Sequence, residues 1–242
     1  MERIDDLQYE NLKIIQDTDG FRFGIDSVLL TEFARDIKKG SKIIDLGSGT
    51  GIIGILLSKK VMPSKIVGIE KQKEVAEMSE KSIYLNNLNN LIEIRNIDIK
   101  DVKYPNGFFD VVITNPPYKK IGTGIDAKND KQQISRFETT ANLNDWINCA
   151  SKLLNNNSSF YMVYRTDRLT ELISILKKYK LEIKRMRFVY SKITEQSKLV
   201  LIKAVKNAGV FLKVEKPLII YNEDGTYTDE IKEVYKNKKI YK

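Results

Sequence analysis

A glycine-rich loop separates two stretches of this chain that have the patterns of a strand and a helix. The β-rich run Lys42 to Leu46 leads into the loop, and the helical spacing of Ile52 to Lys60 follows it directly. Glycines at such a position let the backbone turn tightly and approach a ligand without a Cβ in the way. We therefore expect a small-ligand site lined by Gly47, Ser48, Gly49 and Gly51.

Two acidic residues flank this loop. Asp45 stands just before it, and Glu70 ends the next strand pattern. Because Gly49, Gly51 and Gly54 also satisfy the spacing G-x-G-x-x-G, a dinucleotide site is an alternative. Asp45 argues against it, since a carboxylate repels a pyrophosphate but suits a cationic ligand such as the amino and sulfonium groups of S-adenosylmethionine. Glu70 accepting from two ribose hydroxyls is compatible with either ligand.

A third acidic residue follows the strand pattern Leu91 to Asn96. The Asp98 carboxylate is placed to accept a hydrogen bond from the amine of an adenine ring, and Ile99 to pack on that ring. A solvated loop aspartate is the alternative. Lys71, directly after the second acidic residue, belongs to the same predicted site.

The fourth strand pattern, Phe109 to Thr114, runs straight into Asn115-Pro116-Pro117-Tyr118. Two prolines cannot continue a ladder, and they hold the preceding residue in an extended conformation. If the side-chain oxygen of Asn115 and the carbonyl of Pro116 each accept one N–H of a planar amino group, the nitrogen lone pair is left facing a methyl donor. Tyr118 would stack on an extruded base. A tight turn that only ends the strand is the alternative.

These motifs require a sheet to position them. Strand and helix patterns alternate from residue 42 to residue 180, and two strand-like runs, Lys184 to Tyr190 and Lys198 to Val205, then follow with no helix between them. Alternation predicts a parallel sheet covered on both faces, and the terminal hairpin adds an antiparallel strand. We predict an α/β fold with a Rossmann-like, doubly wound sheet of seven strands, the last antiparallel.

Composition excludes several kinds of chemistry. The 242 residues include no histidine and one cysteine, so His-based nucleophilic catalysis, histidine-ligated metals and internal disulfides are excluded. We expect no metal, no membrane span and a cytoplasmic location, since the N-terminus carries no visible secretory signal. The net charge of +9 favours a polyanionic partner, although biased composition would give the same value.

The loop from Asp45 to Gly51 together with Asn115 to Tyr118 resembles the class I S-adenosylmethionine-dependent methyltransferases that act on exocyclic or amide nitrogens. Within that group the whole chain resembles the bacterial tRNA adenine-N6 methyltransferases that modify nucleotide 37 of a valine tRNA. Matching stretches include Phe21 to Leu30 and Pro217 to Tyr221. The resemblance implies S-adenosylmethionine as cofactor and the anticodon arm of a tRNA as partner. We expect the chain to be a monomer.

The strand and helix patterns place residues 42–205 in the methyltransferase domain, with residues 206–242 as a C-terminal extension, and we expect residues 1–41 to cover the cofactor cleft. The resemblance bears on the end of that first segment. It puts Phe23 and Asp26 near the methionine end of the cofactor, although the same segment fits a helix that packs on the sheet. From charge, we expect RNA contacts at Lys119, Lys120, Arg136, Lys184, Arg185 and Arg187.

Other functions remain open at this point. An amide nitrogen needs the same two acceptors, so protein glutamine-N5 methylation is an alternative, as is guanine-N2 methylation of ribosomal RNA. Glutamine methyltransferases of that kind carry a sizeable N-terminal recognition domain, whereas about 40 residues precede the first strand pattern here. A noncatalytic RNA-binding protein and a dehydrogenase are the alternatives from other classes.

Overall fold

Strands and helices alternate from Lys42 onward in the computed structural model, which describes residues 2–17, 24–118 and 141–235. The strands are β1 Glu2–Asp6, β2 Lys13–Asp17, β3 Lys42–Leu46, β4 Lys65–Glu70, β5 Ile92–Asn96, β6 Phe109–Thr114, β7 Leu154–Arg165, β8 Leu181–Tyr190, β9 Leu199–Lys206, β10 Lys213–Val214 and β11 Leu218–Ile219. The helices in the described ranges are α1 Ile25–Phe33, α2 Ile52–Lys60, α3 Lys73–Leu85, α4 Leu143–Leu153, α5 Leu169–Lys178 and α6 Asp229–Tyr235.

The main sheet has the order β10-β8-β9-β7-β6-β3-β4-β5, and β11 also pairs with β8, which makes nine strands. Strand β9 is antiparallel to both β7 and β8, and the other pairs are parallel. The Rossmann-like mixed sheet with an antiparallel last strand is therefore confirmed. The predicted number of seven is wrong, because β10 and β11 add two short edge strands of two residues each, too short to show alternation.

The central strands are apolar on both faces because helices cover both. In β6, Val111 and Ile113 belong to the core beneath α1 and α2, whereas Phe109 and Val112 belong to the core beneath α4 and α5. Parallel strands buried in this way show nearly continuous hydrophobic runs. This burial fixes the sheet rigidly beneath the loops at its carboxyl edge.

The strand register brings the two sequence motifs side by side. In the β3–β6 pair Leu46 lies opposite Thr114, so the glycine loop and Asn115 begin at neighbouring points of one edge. The hydroxyl of Thr114 donates to the carbonyl of Leu46 at 2.7 Å and ties the two strand ends together. Ligands of open α/β sheets bind at this carboxyl edge.

The terminal segments pack onto this body. Strands β1 and β2 form an antiparallel hairpin, and β2 is held to α3 by bonds from the amides of Ile15 and Lys13 to Ser82 Oγ and Asn86 Oδ1, each 2.9 Å. At the other end β10 and β11 lie along β8. Helix α6 begins just after Thr228, whose Oγ1 lies 3.5 Å from the amide nitrogen of Ile231, as expected for an N-cap residue.

Within the three described ranges no helix is long and apolar enough to cross a membrane. In the same ranges no group of three or more Asp, Glu or Cys side chains is arranged to hold a metal ion.

Candidate active site

Hydrogen bonds anchor the glycine loop to the neighbouring strand β4, and the ring of Trp146 packs against the loop. The amides of Gly47 and Ser48 both donate to the carbonyl of Ile69, at 2.8 and 2.9 Å. Gly47 has φ +72°, and a Cβ built on it would lie 2.7 Å from Cη2 of Trp146. Only glycine meets both demands, because other residues rarely adopt positive φ and the indole leaves no room.

Asp45 is the most unusual residue of the site. Its side chain is 1% exposed, and neither carboxylate oxygen has a hydrogen-bond partner among the described residues. Burial, followed by repulsion from Glu70, raises the pKa of Asp45 to about 8. A buried, unpartnered carboxyl at a ligand-binding edge is a candidate functional group, since an incoming cation would lower its pKa and stabilise its charge.

Glu70, at the end of β4, is 7% exposed and has a different environment. One oxygen accepts from the amide of Gly49 at 3.0 Å, and the other accepts from the amide of Gln72 at 2.8 Å. Burial raises the pKa of Glu70, and these backbone bonds oppose that effect. The carboxylate is thus fixed in orientation beside the loop, as an acceptor for ligand hydroxyls must be.

Asp98 lies where β5 gives way to a short 3-10 turn over Ile99–Asp101. One of its oxygens accepts from the amide of Lys100 at 3.0 Å, and the other lies 3.0 Å from Nζ of Lys71. Ile99 is buried, and its carbonyl accepts from the thiol of Cys149 at 3.5 Å. The predicted adenine-binding residues therefore sit together at the edge, with Asp98 held by Lys71.

The polar groups at this edge of the sheet fit S-adenosylmethionine. Three hydroxyl oxygens join Asp45 as buried polar atoms without a hydrogen-bond partner in the described part of the chain: Ser48 Oγ, Thr50 Oγ1 and Ser79 Oγ. Such groups are costly unless a ligand satisfies them. This cofactor requires a carboxyl group for its cationic end, a second carboxylate for its ribose hydroxyls and a glycine loop that allows close approach.

Asn115 follows β6 directly and takes part in a small hydrogen-bond cluster. Its Nδ2 donates to Oγ of Ser27 at 2.9 Å, and its Oδ1 accepts from the hydroxyl of Tyr118. The same hydroxyl lies 2.9 Å from Oδ2 of Asp26. The first turn of α1 therefore reaches across to the Asn-Pro-Pro-Tyr segment, and its two residues hold both ends of that segment.

The ring of Tyr118 is supported by residues from the start of α5 and the end of β7. It meets the ring of Tyr164 edge to face, with centroids 5.9 Å apart. Arg168 donates through Nη1 to the carbonyl of Tyr118 at 3.2 Å and pairs with Glu171 at 2.9 Å. These contacts give the aromatic ring a defined place at the sheet edge.

Several of these residues were not predicted. Ser27 directly follows Asp26 at the start of a helix, and its adjacency to a predicted residue is the only signal that the sequence offers. Trp146 lies at apolar helical spacing in α4 and belongs to the core, and its ring also covers the glycine loop. Arg168 has no motif around it.

Not all predicted residues can be placed. Phe23, Lys119, Lys120 and Arg136 lie outside the described residues. The other predicted RNA-contact residues lie on β8, far along the sheet from Asn115 in strand order.

Those basic residues on β8 contact segments that follow β9 and α1. Arg185 pairs with Glu215 at 3.0 Å and with Asp36 at 3.2 Å, and Arg187 pairs with Glu230 at 2.7 Å. Lys184 donates to the carbonyl of Gly209. Arg185 and Arg187 therefore hold segments of the fold together, and these ion pairs reduce the charge that they present to a partner.

Comparisons with known proteins identify relatives of the chain and a family model that matches it. Residues 24–188 match the family model described as the methyltransferase small domain. The chain is 27% identical over 233 residues to a Haemophilus influenzae protein named tRNA1(Val) (adenine(37)-N6)-methyltransferase, covering 95% of this chain and 96% of that one. A Porphyromonas gingivalis protein of the same name is 28% identical over 198 residues, with 79% and 74% covered.

Solved structures show the same fold. A predicted O-methyltransferase from Agrobacterium tumefaciens superposes with a TM-score of 0.68 at 20% identity, covering 87% of this chain and 95% of that one. TYW2 of P. horikoshii, solved in complex with MeSAdo, superposes with a TM-score of 0.62 at 13% identity, covering 86% and 72%. The match to the family model spans the loop, both acidic strand ends and the Asn-Pro-Pro-Tyr segment, and the chain belongs to the methyltransferase small domain family.

Proposed function

We propose that this chain transfers a methyl group from S-adenosylmethionine to the exocyclic N6 of an adenine in tRNA, at position 37 of a valine tRNA. The observation that carries the proposal is the placement of Asn115 at the end of β6, beside the glycine loop on β3. The relatives named for this reaction match nearly the full length of the chain and so support the assignment.

The residues that would hold the cofactor lie at three neighbouring strand ends. Asp45 stabilises the cationic end, Glu70 accepts from the ribose hydroxyls, and Asp98 with Ile99 contacts the adenine ring. Gly47, Ser48, Gly49 and Gly51 line the loop, and Lys71, Phe23 and Asp26 complete the proposed set. S-adenosylmethionine supplies an electrophilic methyl group when it is bound.

Asn115 and Pro116 act on the nucleophile. The amino nitrogen of adenine is a poor nucleophile because its lone pair is delocalised into the ring. When Asn115 Oδ1 and the Pro116 carbonyl each accept one N–H, the nitrogen becomes tetrahedral with its lone pair aimed at the methyl donor. The same two oxygens stabilise the positive charge that develops on nitrogen as the N–C bond forms and the methyl–sulfur bond breaks. The surplus proton leaves the nitrogen for water after transfer, so no histidine is needed as a base.

Tyr118 and Pro117 complete the segment. Stacking of the Tyr118 ring on an extruded base replaces the stacking that the base loses when it leaves its neighbours. Pro117, with Pro116, keeps the segment extended, so the acceptors hold their positions as the base enters.

The remaining proposals concern the rest of the chain. Residues 1–41 would cover the cofactor cleft and residues 206–242 would form an extension beside the methyltransferase domain of residues 42–205. We assign contacts with the anticodon arm first to Lys119, Lys120 and Arg136, and Lys184, Arg185 and Arg187 remain further predicted contacts. We propose a monomer that needs no metal and acts in the cytoplasm.

The decisive experiment supplies labelled methyl groups as S-adenosylmethionine to an unmodified valine tRNA transcript and to the same transcript with guanine at position 37. Label recovered as N6-methyladenosine only from the first transcript supports the proposal. Ribosomal RNA and a release factor are tested in parallel, because label on guanine-N2 or on a glutamine amide would replace it with one of the two alternative functions. If none of the substrates becomes labelled, the proposed function and both alternatives are contradicted.

A further inference from the structure

A buried hydroxyl of α1 contacts the amide of Asn115. Ser27 is 5% exposed, and its Oγ accepts the hydrogen bond from Asn115 Nδ2 at 2.9 Å. The other hydroxyl side chains of α1 and α2 behave differently, because Thr31 and Ser58 donate to carbonyls of their own helices at 2.8 and 2.7 Å. Ser27 is therefore the hydroxyl of these two helices that is directed to another element.

The direction of the Asn115 amide decides whether the site can accept a hydrogen bond from an amino group. The two ends of an asparagine amide have nearly the same shape, but the oxygen accepts whereas the nitrogen donates. An amino group that faces Nδ2 finds a second donor and is repelled. Something must therefore hold the oxygen toward the substrate throughout the reaction.

Tyr118 is not a fixed partner of that oxygen, because its hydroxyl is also within reach of a second acceptor. Its hydroxyl has one proton and two acceptors within reach, Asn115 Oδ1 and Asp26 Oδ2. By donating to Asp26, Tyr118 can release Oδ1 to an incoming N–H without losing a hydrogen bond. The bond between Asn115 Nδ2 and Ser27 Oγ lies at the opposite end of the amide and is not displaced by that exchange.

We infer that Ser27 is a positioning residue that fixes the Asn115 amide with its oxygen toward the target amino group. This inference rests on the proposed function, since it assigns Ser27 a role at the same acceptor. Ser27 does not touch the reacting atoms. It acts through Asn115, and its loss allows the amide to rotate between an accepting and a donating state.

The test compares three substitutions at position 27 with a matched control in the full chain. Ser27→Ala removes the acceptor, and Ser27→Cys keeps the side-chain size but provides a much weaker acceptor. Ser27→Thr restores a hydroxyl. Ser58→Ala removes a buried helical hydroxyl that contacts its own helix only, so it reports what the loss of such a group does to the fold alone.

The first readout needs no substrate. The side-chain amide signals of Asn115 are identified in an NMR spectrum by their loss in Asn115→Ala. We expect these signals to shift and to exchange faster with water in Ser27→Ala and Ser27→Cys, and to stay as in the wild type in Ser27→Thr and Ser58→Ala. Unchanged signals in Ser27→Cys would overturn the inference, whether or not the chain methylates tRNA.

The second readout is steady-state methyl transfer to the tRNA transcript. Misplacement of a positioning group costs up to about 100-fold in rate, so we expect kcat to fall about 10- to 100-fold in Ser27→Ala and Ser27→Cys. KM for tRNA and the Kd of S-adenosylmethionine should stay within about twofold, and Ser27→Thr should recover most of kcat. A fall in affinity with kcat preserved contradicts a positioning role. Absence of transfer by the wild type contradicts the proposed function and leaves the NMR result to decide on Ser27.

Discussion

The chemistry assigned to Asn115 depends on one oxygen lone pair that alanine cannot provide. Because loss of a single preorganised hydrogen-bonding group costs about 10²–10³-fold in kcat, Asn115→Ala should lower turnover by at least that factor. The affinity for S-adenosylmethionine, measured by calorimetry, should change little, because the main proposed cofactor groups, Asp45, Glu70 and Asp98, lie at or near the ends of other strands. Asn90→Ala, which removes an exposed asparagine, serves as the control. Retained turnover in Asn115→Ala contradicts the proposed mechanism.

Replacing Asp45 by asparagine tests the effect of the side-chain charge without a large change in side-chain shape. Asparagine has nearly the same volume but cannot balance a cation, so Asp45→Asn should weaken S-adenosylmethionine binding about 10- to 100-fold, as expected for the loss of a hydrogen bond to a charged group. Turnover at saturating cofactor should fall less than in Asn115→Ala. Equal affinities in titration calorimetry would show that Asp45 does not contact the cationic end.

The same substitution changes how stability depends on pH. The pKa of Asp45 is raised to about 8 in the folded protein, compared with 3.8 for an ordinary aspartate such as that of the unfolded chain. The folded state therefore binds the proton more tightly than the unfolded state. The contribution of the Asp45 carboxyl to the free energy of unfolding is therefore fully present below about pH 4 and is lost as the pH rises to about 8. Without ligand, Asp45→Asn should gain thermal stability relative to the wild type between pH 5 and pH 8. A difference that stays constant in that window contradicts the raised pKa.

At the scale of elements, the loop between β3 and α2 can be tested with two glycines of similar backbone conformation. Gly47 and Gly40 have φ +72° and +80°, so alanine costs about 1–2 kcal/mol of backbone strain at either position. A Cβ at Gly40 meets nothing within 4 Å, whereas at Gly47 it meets Trp146. We expect both variants to unfold at lower temperature but only Gly47→Ala to lose cofactor affinity. Similar affinities of the two variants for S-adenosylmethionine would contradict a role of the loop in cofactor binding.

The elements that carry the site could be predicted because their patterns are strong. Strands β3 and β6 have the predicted bounds, and β4 ends at Glu70 as predicted, since each is an apolar run bounded by turn or polar residues. The N-terminal hairpin β1–β2 was not predicted, because its burial comes from packing on α3 rather than from a strong alternating pattern. Strands β10 and β11 were missed because two residues cannot show a period.

Ser27 shows the limit of prediction for the site itself. Its partner Asn115 lies 88 residues further along the chain, and a serine in a helix has no spacing that reveals what it faces. Asp45, Glu70 and Asn115 could be predicted because each stands directly at a strand end. Contacts that arise only from the packing of a helix across the sheet edge require the structure.

The charge of the whole molecule allows a prediction about RNA binding. A net charge of +9 favours phosphate contacts, and each contact makes affinity fall as salt displaces it. We expect the affinity for tRNA to fall at least about tenfold between about 50 and 200 mM salt. Replacing Lys119 and Lys120 together by alanine should reduce this slope. Arg187→Ala should reduce the slope less than that double replacement, because Arg187 already pairs with Glu230 and presents less charge to a phosphate.

A flat dependence on salt would instead assign the excess of lysine to composition alone. The ion pairs on β8 show why net charge is a weak guide by itself. Arg185 and Arg187 contribute to the total, yet their nearest charged partners are glutamates of the C-terminal extension.

The hydroxyl of Tyr118 on Asn115 Oδ1 has a consequence for the choice of base. Because that hydroxyl can also donate to Asp26, an entering amino group gains a hydrogen bond at Oδ1 while Tyr118 keeps one. A base with a carbonyl at the same position offers no hydrogen, and Tyr118 stays where it is. We therefore expect a base with an amino group at this position to bind better than a base with a carbonyl there.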